Sequence, residues 1–260
     1  MKSLVQHIKE EFNFRINKNS AKITYNYSPK TTNELKHIIQ DHYAADMYDL
    51  NDIDVSQITN FRQLFVNDEN TGNPEFNISG WDVSNGENFY YMFNGCKKFN
   101  GDISDWDVSN GKDFANMFSG CTKFNCDLSR WNVSNGNNFL SMFNECINFN
   151  CDLSNWDVSK GKYFDAMFWG CSKFNSDLSQ WNVSNGETFM CMFWGCSNFN
   201  SDLSKWDVSN GEDFTGMFWK CSKFNSDLSQ WTVNKGRHFS NMFDDCNIKQ
   251  EFKPKHKDIE

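Results

Sequence analysis

From Trp81 onward, apolar and polar positions recur every 25 residues, most cleanly in Trp106–Arg130, WDVSNGKDFANMFSGCTKFNCDLSR. Within this unit Phe114, Met117, Phe118 and Cys121 fall at i, i+3, i+4 and i+7, the stripe of an amphipathic helix. The spacing predicts a short helix in the middle of each unit, ending near Gly120, where glycine suits a C-cap. Ile103, Trp106 and Val108 form the other apolar group, and the last two alternate around Asp107 as a short strand would. Trp recurs at 81, 106, 131, 156, 181, 206 and 231, Cys at 96, 121, 146, 171, 196, 221 and 246, and the Met-Phe pair from Met92-Phe93 to Met242-Phe243. Such a period marks an array whose units bury their apolar faces against neighbours. The fold class expected is an α/β repeat solenoid, with a short strand and a short helix per 25-residue turn.

Flanking segments define the boundaries. Val5, Ile8 and Phe12 suggest a short helix after Ser3, and Ile23, Tyr25 and Tyr27 alternate as in a half-buried strand. Thr31 with Glu34 has capping-box spacing ahead of the apolar stripe Leu35, Ile38, Ile39 and Tyr43. Residues 1–49 are therefore expected to form an N-terminal α/β cap, and 50–246 an array of roughly eight turns. The first turn is degenerate: Ile53 stands for Trp, and Gly72 and Pro74 predict a longer loop. Residues 247–260, polar and lysine-rich, are expected to form a tail that buries little.

The motif FNGDISDWDVSN, from Phe99 to Asn110, resembles the BspA-like leucine-rich-repeat surface-protein family, as do SPKTTNELKHII from Ser28 and DLNDIDVSQIT from Asp49. The resemblance covers roughly residues 28–246. It implies a leucine-rich-repeat right-handed superhelix, often displayed on bacterial surfaces for adhesion or protein binding. The chain departs from that pattern at Gly86, Gly111 and their equivalents, where an aliphatic residue is usual. Phe replaces Met at the start of the predicted helix, and Cys fills a small-residue position.

Charge narrows the choice of partner. A net charge of -9 opposes binding to nucleic acid or anionic lipid. No secretory h-region or membrane-length apolar run is present, so the chain as written reads as cytoplasmic, or as surface-displayed or secreted if a leader has been removed. The ten Cys are expected to be free thiols, including the equivalent Cys126 and Cys151, and the seven column thiols to be buried and slow to alkylate. Columns of Asp, such as Asp102 and Asp127, are expected to accept turn N–H groups rather than to bind calcium. The five His lack ligand or triad spacing and are expected to be ordinary surface or cap residues, and no phosphate loop is present. No catalytic residue, metal or cofactor is expected.

Stacking leaves one feature unexplained. Trp169, Trp194 and Trp219 follow the Met-Phe pair in three consecutive copies, where others carry Asn94, Ser119, Asn144 and Asp244. On a helix that position faces away from the core, and Met190 and Cys191 extend the same apolar strip. Three adjacent indoles suggest a partner surface. The alternative is the strand face, with Asp82, Asp107, Asp157 and Asp207 beside the variable Arg130 and Lys205. The function expected is a non-enzymatic protein–protein interaction scaffold, with a bacterial surface adhesin as first alternative and a metal- or redox-dependent enzyme as second.

Overall fold

The computed structural model describes residues 25–259. The helix expected after Ser3, and Ile23 of the expected strand, lie outside them. Helix α1 spans Thr32–Ala44, and its N-cap is the predicted one: the Thr31 side chain accepts the Glu34 N–H. Glu34 reaches back to the N–H of Lys30, one residue before the cap, rather than to that of Thr31. Leu35 and Ile39 bury the inner face of α1. His42, expected to be an ordinary cap or surface histidine, is buried in the junction with the first turn. Its ring nitrogens lie 2.8 Å from the Ile38 carbonyl and 3.1 Å from the Asp52 carboxylate. Tyr27 makes a single parallel bridge to Ile53.

The strand-plus-helix unit does not form. Among the described residues α1 is the only α-helix, and the copies contain single parallel bridges such as Asp113 with Asn138 in place of strands. Phe114, Met117, Phe118 and Cys121 are all buried as expected, but consecutive β-turns bring them inward. The Met117 N–H closes on the Phe114 carbonyl at 3.1 Å, and the Cys121 N–H on the Phe118 carbonyl at 2.9 Å. The third residues of these turns, Asn116 and Gly120, have φ of 57° and 76°, the sign that a type II turn requires there.

Every amide of this stretch is satisfied, which explains why turns replace the helix. The N–H groups of Phe114, Asn116, Phe118 and Gly120 cross to the Asn138, Leu140, Met142 and Asn144 carbonyls at 2.7–2.9 Å. Those of Met117, Ser119 and Cys121 close turns within the copy, and that of Ala115 bonds the Asp113 side chain. An α-helix would direct all of them back along its own axis.

Identical side chains therefore lie one above another. Trp131, Trp156, Trp181, Trp206 and Trp231 stack at 6.3–6.5 Å with planes within 2°. The Phe column from Phe118 to Phe243 stacks at 5.6–5.7 Å. Each buried indole N–H finds a carbonyl, as Trp156 finds that of Leu128 at 2.9 Å. Gly161 shows why the aliphatic residue of the resembled family is missing. A Cβ there would lie 2.3 Å from Cζ of Phe164, whose ring fills that space.

The column thiols do more than fill volume. Cys146 donates its S–H to the Phe118 carbonyl at 3.0 Å, and Cys121, Cys171, Cys196 and Cys221 repeat the bond. Burial pushes the thiols of Cys121, Cys146, Cys196 and Cys221 well above the usual range and that of Cys96 to about 11. Because the thiolate is the reactive form, native alkylation of these Cys should be slow and become fast after denaturation. Cys246, expected to behave like the other six column thiols, is only half-buried at the array's end. With Cys126 and Cys191 it should label first, as mass spectrometry of a timed reaction would read.

Both ends of the array have their apolar side chains covered. In the first turn Ile53, Phe61, Leu64 and Phe65 are buried, and the predicted long loop carries a 3-10 turn over Glu69–Gly72. At the other end residues 247–259, expected to bury little, fold back over the last copy. Ile248 and Pro254 are buried, and the Phe252 carbonyl accepts the Leu228 N–H at 2.8 Å. In the preceding copy the equivalent N–H, on Leu203, is served by the Ser226 hydroxyl. Among the described residues no helix is long and apolar enough to cross a membrane.

Candidate partner-binding surface

With the helix gone, the three indoles that depart from the column pattern have different surroundings from those expected. Trp169 and Trp194 stack at 4.3 Å, and Trp194 and Trp219 at 4.7 Å with planes 3° apart. All three are half-buried rather than facing freely outward, because each ring covers a face of its neighbour. Lys220 Nζ lies 5.5 Å from the Trp219 ring, a cation–π contact that closes one end of the stack. The result is one rigid ridge that presents indole edges.

Met190 and Cys191 stand on turn residues, not on a helix. Met190 is 41% exposed, whereas Cys191 is half-buried with φ of 55°. Its Sγ would lie 3.2 Å from a Cβ at Gly216, and Trp219 carbons would lie 3.7–4.0 Å from the same point. A small residue there lets the ring and the thiol close over the backbone. Tyr163 and Ile147 add exposed apolar surface in the two copies before Met190.

Asp165 was not singled out from the sequence, yet it supports this surface. In most copies an Asn or Asp two residues earlier accepts the N–H at the position of Met190, as Asp113 does for Ala115. Thr188 cannot, and the Asp165 carboxylate of the preceding copy takes over, accepting the Met190 N–H at 2.9 Å and the Thr188 hydroxyl. Burial raises its pKa. The signal was present in the loss of the Asx residue at Tyr163 and Thr188. Asp165→Ala should remove both bonds and cost about 0.5–1.5 kcal/mol, since water can reach the Met190 amide, which urea denaturation would measure.

The alternative face is built from Asx turns rather than strands. Asp82, Asp107, Asp157 and Asp207 are exposed, and each accepts the N–H of the serine two residues on, at 2.9–3.1 Å. Asp102, Asp127, Asp177, Asp202 and Asp227 repeat the arrangement, as expected for that column. Arg130 pairs with Asp105 at 2.8 Å with both side chains exposed, and Lys205 lines a shallow polar groove with Asp177 and Asp202.

Hydrogen bonds from those serines hold the carboxyls of Asp102, Asp127, Asp157, Asp177, Asp202, Asp207 and Asp227 below the usual range. A folded pKa below the unfolded value of about 3.9 contributes stability above that pH and loses it as pH falls through the folded value. Burial raises Asp113 and Asp165, which act in the opposite sense but are fewer. Urea midpoints should therefore be level near neutrality and fall below about pH 4.

Among the described residues no group of three or more His, Cys, Asp and Glu is arranged to hold a metal ion. His37 and His238 are exposed and distant in sequence from Cys191, the one thiol of the strip. A family model described as "Mycoplasma protein of unknown function, DUF285" matches residues 33–156, 102–190 and 137–255, overlapping stretches that take in α1 and the array. No curated protein and no solved structure matches the chain. The chain is a repeat protein and belongs to the DUF285 family.

Proposed function

We propose that this member of a family of unknown function is a non-enzymatic protein-interaction scaffold, and that its partner docks on the ridge of Trp169, Trp194 and Trp219 with Met190 beside it. The observation that carries the reading is the stack itself. Three copies in a row replace Asn or Ser by Trp at a position outside every core column, and the rings are held rigid at 4.3–4.7 Å. A preordered aromatic ridge loses little side-chain entropy on binding, and Trp is enriched among residues that dominate interface energies. The fold belongs to the same reading: a solenoid of stacked 25-residue turns, of the BspA-like kind that FNGDISDWDVSN resembles.

The test is capture of partners from an extract by the whole chain and by a folded variant in which the three Trp are replaced by Asn, read by mass spectrometry. A protein retained by the native chain and lost from the variant supports the ridge. Equal retention would move the site to the face of Asp82, Asp107, Asp157 and Asp207.

A further inference from the structure

The two ends of the stack are chemically unlike. At seven successive junctions, from Phe61–Asn67 on Asn88–Asn94 to Phe214–Lys220 on His238–Asp244, four alternate N–H groups of one copy bond carbonyls of the next. The N–H groups of these rows all bond forward, whereas the carbonyls between them close turns within their own copy, and only the one at the position of Phe118 accepts a second bond from the next copy, from a column Cys S–H. In the last copy the same turns close, with the Met242 N–H on the Phe239 carbonyl and the Cys246 N–H on the Phe243 carbonyl, both at 3.1 Å. The forward N–H groups of Phe239, Asn241, Phe243 and Asp245 meet no acceptor among the described residues. Asn241 and Asp245 are exposed.

The matching acceptor row, at the other end, is formed by the carbonyls of Asn60, Arg62, Leu64 and Val66. Helix α1 is tied to both ends of that row: the Thr32 hydroxyl donates to the Asn60 carbonyl and the Tyr43 hydroxyl to the Asp68 carboxylate. In a second copy of this chain α1 therefore lies over the row and already engages its Asn60 carbonyl, so docking of the same chain would first have to move the helix. An ordinary strand fits poorly, because it presents N–H as well as C=O groups to a neighbour and its N–H groups would find only the Phe243 carbonyl, whose equivalents in earlier copies take a column Cys S–H. A unit of this repeat type presents carbonyls and uses the intervening N–H groups internally, as Asn138–Asn144 does against Phe114–Gly120.

We infer that the Phe239–Asp245 edge docks another polypeptide of the same repeat type, one whose first unit is not covered by a helix. The complement such a partner would supply is seen seven times inside the molecule and does not depend on the indole rings. Residues 253–259 lie where the next unit's core would pack, with the His256 ring 4.4 Å from that of Phe239 and Lys253 Nζ 5.7 Å from the Phe243 ring. Docking must displace this segment.

Amide hydrogen exchange on the whole chain tests the inference. In the free protein the amides of Phe239, Asn241, Phe243 and Asp245 should exchange at least about a hundredfold faster than those of Phe214, Gly216, Phe218 and Lys220, given the steep dependence of exchange on bonded burial. Equal protection would overturn the open edge. Adding a variant of the whole chain, Leu35→Asp with Ile39→Asp, which releases α1 from the acceptor row, should slow the four amides of the labelled native chain about tenfold or more, while the unlabelled native chain at the same concentration should leave them unchanged. No slowing with a variant whose own Phe214–Lys220 amides stay protected, and which is therefore folded, would overturn the assignment. Slowing on raising the concentration of the whole chain alone would replace the proposed partner by a second copy.

Discussion

Phe168→Ala should lower the stability of the chain by about 3–5 kcal/mol, the cost of emptying a large aromatic site that cannot collapse. The ring is fully buried, 4.1 Å from Phe174 in its own copy and 5.7 Å from both Phe143 and Phe193 in the copies on either side. Its removal opens a gap that three copies share, and in a stacked array a weakened junction lowers the cooperativity of everything beyond it. Phe243→Ala provides the comparison. That ring stacks on Phe218 alone at 5.6 Å and otherwise meets the returning C-terminal segment, so the loss should be nearer about 1–3 kcal/mol. Denaturant curves on both variants would decide the point. Equal losses would mean that stacking between copies is not what the column supplies.

Replacing Trp169, Trp194 and Trp219 together by Asn should weaken partner binding by about 2 kcal/mol or more, roughly thirtyfold, if one indole anchors the interface. Asn94 and Asn144 already occupy this position in other copies, so the backbone accepts the change. Stability should fall as well, because two ring pairs are lost at about 0.5–1.5 kcal/mol each. The fold should survive, since no Phe, Met, Cys or Trp of the buried columns changes. A titration of the isolated partner against native and variant chains, with circular dichroism to verify folding, separates the two effects. Collapse of the variant would make the ridge a structural element, and unchanged affinity in a folded variant would remove it from the interface.

Several features were legible in the chain alone because they depend on local chemistry or on identity repeated at a fixed interval. The capping geometry of Thr31 and Glu34 announced α1, and the 25-residue period announced which residues stack, down to the Asp side chains that accept serine N–H groups. The buried set was equally readable: Phe114, Met117, Phe118 and Cys121 lie inside, as their spacing requires. The path by which they get there was not. Two β-turns in series place inward residues at the same three- and four-residue intervals as a helix, and what separates the alternatives is a hydrogen-bond partner 24 residues away. The same distance hides the fate of the indoles, since a ring judged against its own copy faces solvent while the copy beside it covers that face. His42 and the C-terminal segment follow suit: Asp52 buries the first against the initial turn, and the second folds back because the last copy has ring faces that no further unit covers. Period and composition thus determined which side chains meet, whereas the contacts between copies decided the backbone that joins them and how much of each is left for a partner.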